Sequence, residues 1–174
     1  RHSSSAASDV YKRQYGGSFS NKIRIATEIV EGIHKSVGED FLIIFRIPAM
    51  DMLEGGMSWE EICALGQALE NSGVSIVSTH FSWHESPVPT IATMVPRAAF
   101  TSVTKRLKSV INVPVITSNR INMPDVAETV LANGDADLVS MARPFLADGK
   151  IFEKIKEGRE DEINTCIACN QACL

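Results

Sequence analysis

The run Phe41-Leu42-Ile43-Ile44-Phe45-Arg46 is five consecutive apolar residues closed by an arginine. A strand with water on one side alternates apolar and polar side chains. An unbroken apolar run suits a strand buried on both faces, as in a parallel sheet. An arginine at its carboxyl end puts a cation where parallel α/β folds bind their ligands. The arrangement recurs three times downstream. Residues 74–79 lead into His80, residues 113–117 into Ser118-Asn119-Arg120, and residues 137–141 into Ala142-Arg143. Pro114 sits near the start of its run, where a missing N–H is tolerated. These four runs are the expected strands.

Between them lie helical patterns. In 21–37, Ala26, Ile29, Val30, Ile33 and Val37 recur at helical spacing and Gly38 follows as a stop. Ser58-Trp59-Glu60-Glu61 has the form of a capping box, with Ile62, Leu65 and Leu69 on one face behind it and Asn71-Ser72-Gly73 closing the helix. Further helices are predicted over 100–110, from Pro124 to Asn133-Gly134, and around Ile151, Phe152 and Ile155 up to Gly158. Strands alternating with helices predict a parallel sheet joined by crossover connections. Four such units are half of an eight-stranded (β/α)8 barrel, which takes about 250 residues. A doubly wound open sheet is the competing architecture.

Composition narrows the function classes. The chain has 174 residues, 44% hydrophobic and 22% charged, with a formal net charge of -4, as in an ordinary globular protein. An acidic balance with no basic run excludes nucleic acid as a main partner. No apolar stretch reaches the roughly 18 residues of a membrane span. Residues 4–14, SSAASDVYKRQ, resemble the in-frame translation of a sequencing-library transposase adapter. Residues 1–14 are therefore read as a non-native scar and set aside. Because that stretch carries Arg1, Lys12 and Arg13 against Asp9, the remainder is more acidic than the whole.

Three of the four cysteines form a C-x2-C-x3-C array, Cys166, Cys169 and Cys173, close to the last residue, Leu174. Clustered cysteines in an enzyme-like chain read as metal ligands in a reducing, cytoplasmic compartment. The short spacing lets three thiolates cap one face of a [4Fe-4S] cluster, with a fourth ligand further on. Zinc is the alternative, although its knuckles more often come as two C-x2-C pairs. Cys63 stands alone in a helical pattern and reads as a small buried hydrophobe.

Arg46, Arg120 and Arg143 close three different strands. Three arginines on one rim suit an anionic ligand, most simply a phosphate attached to an electron-rich ring. No G-x-G-x-x-G follows any strand, which disfavours a dinucleotide site in this segment. His84, on the loop after the second strand, is a candidate general acid or hydrogen-bond donor to a carbonyl. His80 is a weaker candidate of the same kind. His34 reads as a solvent-facing helix residue, and Trp59 and Trp83 as packing residues.

The residues also carry a resemblance. Tyr15-Gly16-Gly17-Ser18, followed by Asn21-Lys22-Ile23-Arg24, resembles a segment of the old yellow enzyme superfamily. WHESPVPTIATMVPRAAF (83–100) is similar to the active-site loop of the bacterial 2,4-dienoyl-CoA reductase family. TSNRIN (117–122), DADLVSMARPFLAD (135–148) and DEINTCIACNQACL (161–174) are similar to further blocks of it. Together these cover 15–174. The resemblance implies that residues 15–160 are the second half of an FMN-binding TIM barrel, and that 161–174 begin an iron-sulfur segment. It implies reduction of a 2,4-dienoyl-CoA in fatty-acid breakdown. NADPH would be the ultimate electron donor, through FAD and a [4Fe-4S] cluster, to FMN. Arg46 then matches an arginine beside the flavin ring. Arg120, Ala142 and Arg143 match positions around the FMN phosphate. His84 matches the histidine that assists protonation near the thioester, and Cys166, Cys169 and Cys173 match three cluster ligands.

The departures are specific. The family's proton-donating tyrosine precedes the YGGS-like segment, where the scar stands, and Tyr11 is part of the scar. The first four strands, the fourth cysteine and the FAD/NADPH region have no counterpart in 15–174. Position 80 carries histidine where the resemblance leads one to expect glycine, which would narrow the site. The chain by itself is expected to be inactive. Two other readings stand beside this one: a trimethylamine-dehydrogenase-like or other enoate-reducing flavoenzyme, and a non-catalytic metal-binding module.

Overall fold

The computed structural model describes residues 14–82, 86–87, 90–171 and 173. The adapter-like residues 1–13 and the loop residues Trp83, His84 and Glu85 lie outside the described residues. Helix α1 (Phe19–Val37) is followed by β1 (Ile44–Met50), α2 (Trp59–Asn71), β2 (Ile76–Phe81), α3 (Thr101–Lys108), β3 (Val115–Thr117), α4 (Pro124–Ala132) and β4 (Leu138–Val139). Two short helices, α5 (Arg143–Ala147) and α6 (Ile151–Lys156), and a 3-10 turn (Glu160–Glu162) complete the chain. Among the described residues no helix is long and apolar enough to cross a membrane.

The strands form one parallel sheet in the order β1-β2-β3-β4. That order decides between the two architectures. A doubly wound sheet reverses its strand order at a switch point and places helices on both faces. Here each strand lies beside the one before it, and α1, α2 and α3 cover one face. Ile47, Val77 and Val115 on that face are fully buried against Val30 of α1, Leu65 and Leu69 of α2 and Leu107 of α3. No helix among the described residues packs on the opposite face, which is partly exposed. That face carries Ile44 (51% exposed) and Leu138 (43% exposed), with Arg46, Ser78 and Ile116 in register between them. A singly wound sheet with helices on one side and an apolar inner face is half of a (β/α)8 barrel.

Local chemistry accounts for the element ends. The Ser18 side chain accepts from the Asn21 amide and starts α1. The Ser58–Glu61 capping box forms with both of its hydrogen bonds. Pro124 occupies the first turn of α4, where its missing N–H is harmless. Gly66 brings α2 close to its neighbour: a Cβ there would stand 3.3 Å from both Leu107 and Ile111.

Several expectations shift. The strands begin two or three residues later than 41, 74 and 113. Phe41 and Leu42 precede β1 and are 54% and 60% exposed, so the opening run is not a strand buried on both faces. β1 instead continues through Pro48 to Met50, with an irregular register there. β4 is two residues long, although the Asp137 and Ser140 amides extend its bonding to Val115 and Thr117. The core face of α1 runs Phe19, Ile23, Ala26, Val30 and Ile33, while Ile29 and Val37 are exposed. His34 is partly exposed, as its place on the helix suggested, but it also bonds across elements. Its Nε2 lies 2.9 Å from the Gly73 carbonyl and its Nδ1 3.2 Å from the Gly38 carbonyl, which ties α1 to the end of α2. Gly73 has a positive φ, and a Cβ there would strike the His34 ring at 2.8 Å. Trp59 packs as expected, with the Arg106 guanidinium 4.1 Å over its ring. Cys63 is only half-buried, and burial raises its thiol pKa.

Candidate active site

The carboxyl ends of the four strands form the rim of the half-barrel, and backbone strain collects there. The described non-glycine residues with positive φ are Met52, Ser82, Ala98, Asn119, Arg120, Ala168 and Asn170. Two follow β1 and β2, two follow β3, and the rest lie in the 86–100 loop and the cysteine segment. Left-handed conformations cost an ordinary residue about 1–2 kcal/mol. Such strain persists only where surrounding structure enforces it, and it marks functional sites.

Hydrogen bonds supply that enforcement. The Asn119 side chain donates to Thr90 Oγ1 at 2.9 Å, and Thr90 Oγ1 donates to the Phe81 carbonyl at 3.2 Å. Arg120 Nε donates to the Val95 carbonyl at 2.7 Å, and the Arg120 carbonyl accepts from the Ala98 amide at 3.0 Å. Beneath this loop Phe81 stacks on Phe100 with ring centres 5.1 Å apart. Ser118 Oγ donates to the Thr79 carbonyl at 2.7 Å. Residues 90–98 are thereby pinned to β2 and to the β3–α4 turn.

A cleft of about 280 Å³ opens on the rim. Arg46, Arg120 and Arg143 all line it, with Ala142, Ser118, Asn122, Cys166 and Ala168. The arginines therefore converge as the strand ends suggested. None of the three makes an ion pair among the described residues. Arg46 projects from the inner face of β1. Arg143 begins α5 after Ala142, and its Nη1 is buried with no acceptor. Buried donors are rarely left unpaired, and an orphaned guanidinium N–H in a cleft wall fits an anionic ligand.

His80 pairs with Pro48, two residues beyond the Arg46–Ser78 pair and on the same face of the sheet. Burial first, then the Arg46 charge, lowers its pKa, and Asp51 partly opposes them. The imidazole is thus biased toward its neutral form. His84 lies outside the described residues.

The cysteine segment is laced to the same rim. Asn122 Nδ2 donates to the Cys166 carbonyl at 2.8 Å, Thr93 Oγ1 to the Ile167 carbonyl at 2.8 Å, and Asn170 Nδ2 to the Ile91 carbonyl at 2.7 Å. Asp148, 6% exposed, anchors the segment's start by accepting from the Lys154 ammonium at 2.7 Å and the Asn164 amide at 2.9 Å. These bonds lower its pKa to about 2. Cys166 is half-buried at the cleft, while Cys169 and Cys173 are exposed. Among the described residues no three Cys, His, Asp or Glu side chains are gathered to hold a metal ion.

Residues 9–162 match the profile of the NADH:flavin oxidoreductase / NADH oxidase family. The chain belongs to that family. It is 37% identical over 161 residues to a metal reductase of Desulforamulus reducens, and 37% identical over 166 residues to an NADH oxidase of Thermoanaerobacter brockii. Each alignment takes in 92% of this chain, but only 24% and 25% of the relative. A solved 2-naphthoyl-CoA reductase, in complex with 2-naphthoyl-CoA, superposes with a TM-score of 0.87 at 36% identity, over 92% of this chain and 24% of that one. The chain spans about a quarter of the length of these family members.

Of the residues singled out in the sequence, the three arginines, Ala142 and Cys166 come together at the cleft. Sequence reasoning missed Asn122, although TSNRIN contains it, and Asp148 at the end of DADLVSMARPFLAD. The Asn122 partner, the Cys166 carbonyl, lies 44 residues along the chain, and Asp148 bonds both its neighbour Lys154 and the more distant Asn164 amide, so no single local pattern announces either.

Proposed function

We propose that residues 15–160 are the second half of the FMN-binding barrel of a flavoenzyme that reduces a conjugated carbon–carbon double bond of an acyl-CoA. A 2,4-dienoyl-CoA is the substrate this reading assigns. The observation that carries it is the buried, acceptor-less Nη1 of Arg143 in the wall of a cleft shared with Arg46 and Arg120. Bound FMN would supply hydride transfer. Arg143 and Arg120 would hold its phosphate. Arg120 suits that task because its Nε is already committed to the Val95 carbonyl, which fixes the guanidinium. Arg46, on the inner face, would set a positive potential beside the ring. The 86–100 loop would exclude water, and His84 would deliver or polarise a proton near the thioester. Relatedness to a protein that binds 2-naphthoyl-CoA supports an acyl-CoA substrate. The blocks at 83–100 and 161–174 support the dienoyl-CoA branch.

On the same reading Cys166, Cys169 and Cys173 supply three thiolates to a [4Fe-4S] cluster, with the fourth ligand beyond Leu174. FAD and NADPH would bind other parts of a longer, cytoplasmic protein. Iron and sulfide analysis of that protein, with and without Cys169→Ser, tests the cluster directly.

The flavin assignment is tested by Arg143→Ala in the longer protein. Hydrogen bonds to a charged group are worth ~1.5–3 kcal/mol, so FMN affinity should fall by about 10–150-fold. Unchanged flavin occupancy after gel filtration would remove the assignment. The substrate role of His84 is tested by stopped-flow reoxidation of reduced flavin by a dienoyl-CoA. Loss of a positioned acid slows such a step by ~10²–10⁴-fold. An unaltered rate in His84→Ala would make the histidine a packing residue.

A further inference from the structure

Two asparagines at the seam between the cleft and the cysteine segment share one unusual state. Asn122 donates its Nδ2 hydrogen to the Cys166 carbonyl, and Asn170 donates its own to the Ile91 carbonyl. In both, the amide oxygen is buried with no donor. The orientation is fixed, because a flipped amide would set oxygen against a carbonyl oxygen. Asn122 is 5% exposed and lines the cleft, as do Ile91, Cys166 and Ala168. One rigid amide of a cleft-lining residue thus has its nitrogen end bound to the cysteine segment and its oxygen end buried and unsatisfied. A buried acceptor left unpaired favours any arrangement that brings it a donor. A ligand carrying hydroxyl or N–H donors, seated on the arginines, would do so.

We propose that Asn122 is a positioning residue through which occupancy of the cleft fixes the cysteine segment. A donor reaching Oδ1 restrains the amide, and the restrained Nδ2 holds the Cys166 carbonyl in place. Ala168 and Asn170, both at positive φ, lie within four residues of that carbonyl. The segment between Cys166 and Asn170 therefore has little freedom once its first carbonyl is held. The proposal rests on the flavin reading of the cleft, since FMN brings both a phosphate for the arginines and ribityl hydroxyls as donors.

The test uses the full-length protein, stripped of metal by a chelator and of flavin by dialysis. Cys169 is exposed and does not line the cleft, so its alkylation by iodoacetamide, followed by mass spectrometry, reports the segment and not simple occlusion. FMN should slow Cys169 alkylation several-fold in the unsubstituted protein. In Asn122→Ala, with FMN raised until flavin fluorescence shows the site saturated, alkylation should be equally fast with and without FMN. A purely structural asparagine would raise both rates together and leave their ratio unchanged, and that result overturns the proposal. Asn122→Gln keeps both ends of the amide and should restore part of the FMN effect. Failure of the unsubstituted protein to bind FMN would sink the flavin reading and the coupling with it. FMN binding with equal protection in Asn122→Ala would sink the coupling alone.

Discussion

His34 shows what one side chain can carry between elements. Both its ring nitrogens face carbonyl oxygens, which only accept, and only the imidazolium has an N–H for each. Its pKa is accordingly raised, first by the Gly73 carbonyl and then by the Gly38 carbonyl. A raised folded-state pKa gives stability that is complete below the unfolded value near 6.5 and lost as pH rises through the folded value. The unsubstituted chain should therefore lose thermal stability relative to His34→Ala between mildly acidic and alkaline pH, as followed by circular dichroism. Parallel melting temperatures across that range would contradict the double bond. Asp148 behaves with the opposite sign. Its lowered pKa means its contribution is present above about 4 and lost as pH falls toward 2. Asp148→Asn should remove that acid dependence, and exchange at the Asn164 amide should then be fast at neutral pH. Neither residue announced its task in the sequence. His34 sits on a helix beside Lys35, and its partner Gly73 is a helix stop whose carbonyl has no signature. Arg46, Arg120 and Arg143 were legible because each terminates an apolar run, and parallel strands bring such ends to one rim.

At the scale of elements, local chemistry was readable where it was local. The Ser58–Glu61 box, Pro124 and the Asn133-Gly134 stop each act within four residues, and each stands where the pattern put it. Ser58→Ala should cost about 1 kcal/mol by loss of the cap, visible as a lower unfolding midpoint in urea with an unchanged slope. Strand bounds were less legible. An apolar run does not reveal which of its residues bond to a neighbour, so Phe41 and Leu42 look like strand and are exposed approach. Helix α5 was not foreseen because five residues are too few to show a period. Its place in the fold comes from Asp148 and the segment it anchors.

For the whole molecule, the partly exposed inner face dominates. Ile44 and Leu138 are apolar and exposed on a sheet whose two edge strands have no outer partner among the described residues. Exposed apolar faces and open strand edges drive association. This 174-residue chain should associate with itself at micromolar concentration, and Leu138→Lys should weaken that association in sedimentation velocity. A concentration-independent monomer would mean the face is covered in solution. The order of the strands was legible from their regular alternation with helices. The exposed face was legible on the same ground, because four strand-helix units make half a barrel and leave its inner face without the strands that would close it.

Thr79, Thr104 and Thr117 are buried between the sheet and α3, their hydroxyls 3.2 and 2.9 Å apart in series. Thr79 gives its hydrogen to the Ile116 carbonyl at 2.9 Å. It has no second hydrogen, so Thr104 must point at Thr79, and Thr117 at Thr104. The three protons thus run one way, like current in a diode, and the chain has a head and a tail. The threonines are then unequal despite their identical chemistry. Thr117→Val removes only the last donor. Thr104→Val strands an acceptor on one side and a donor on the other, and should destabilise most, by about 1–3 kcal/mol beyond its neighbour.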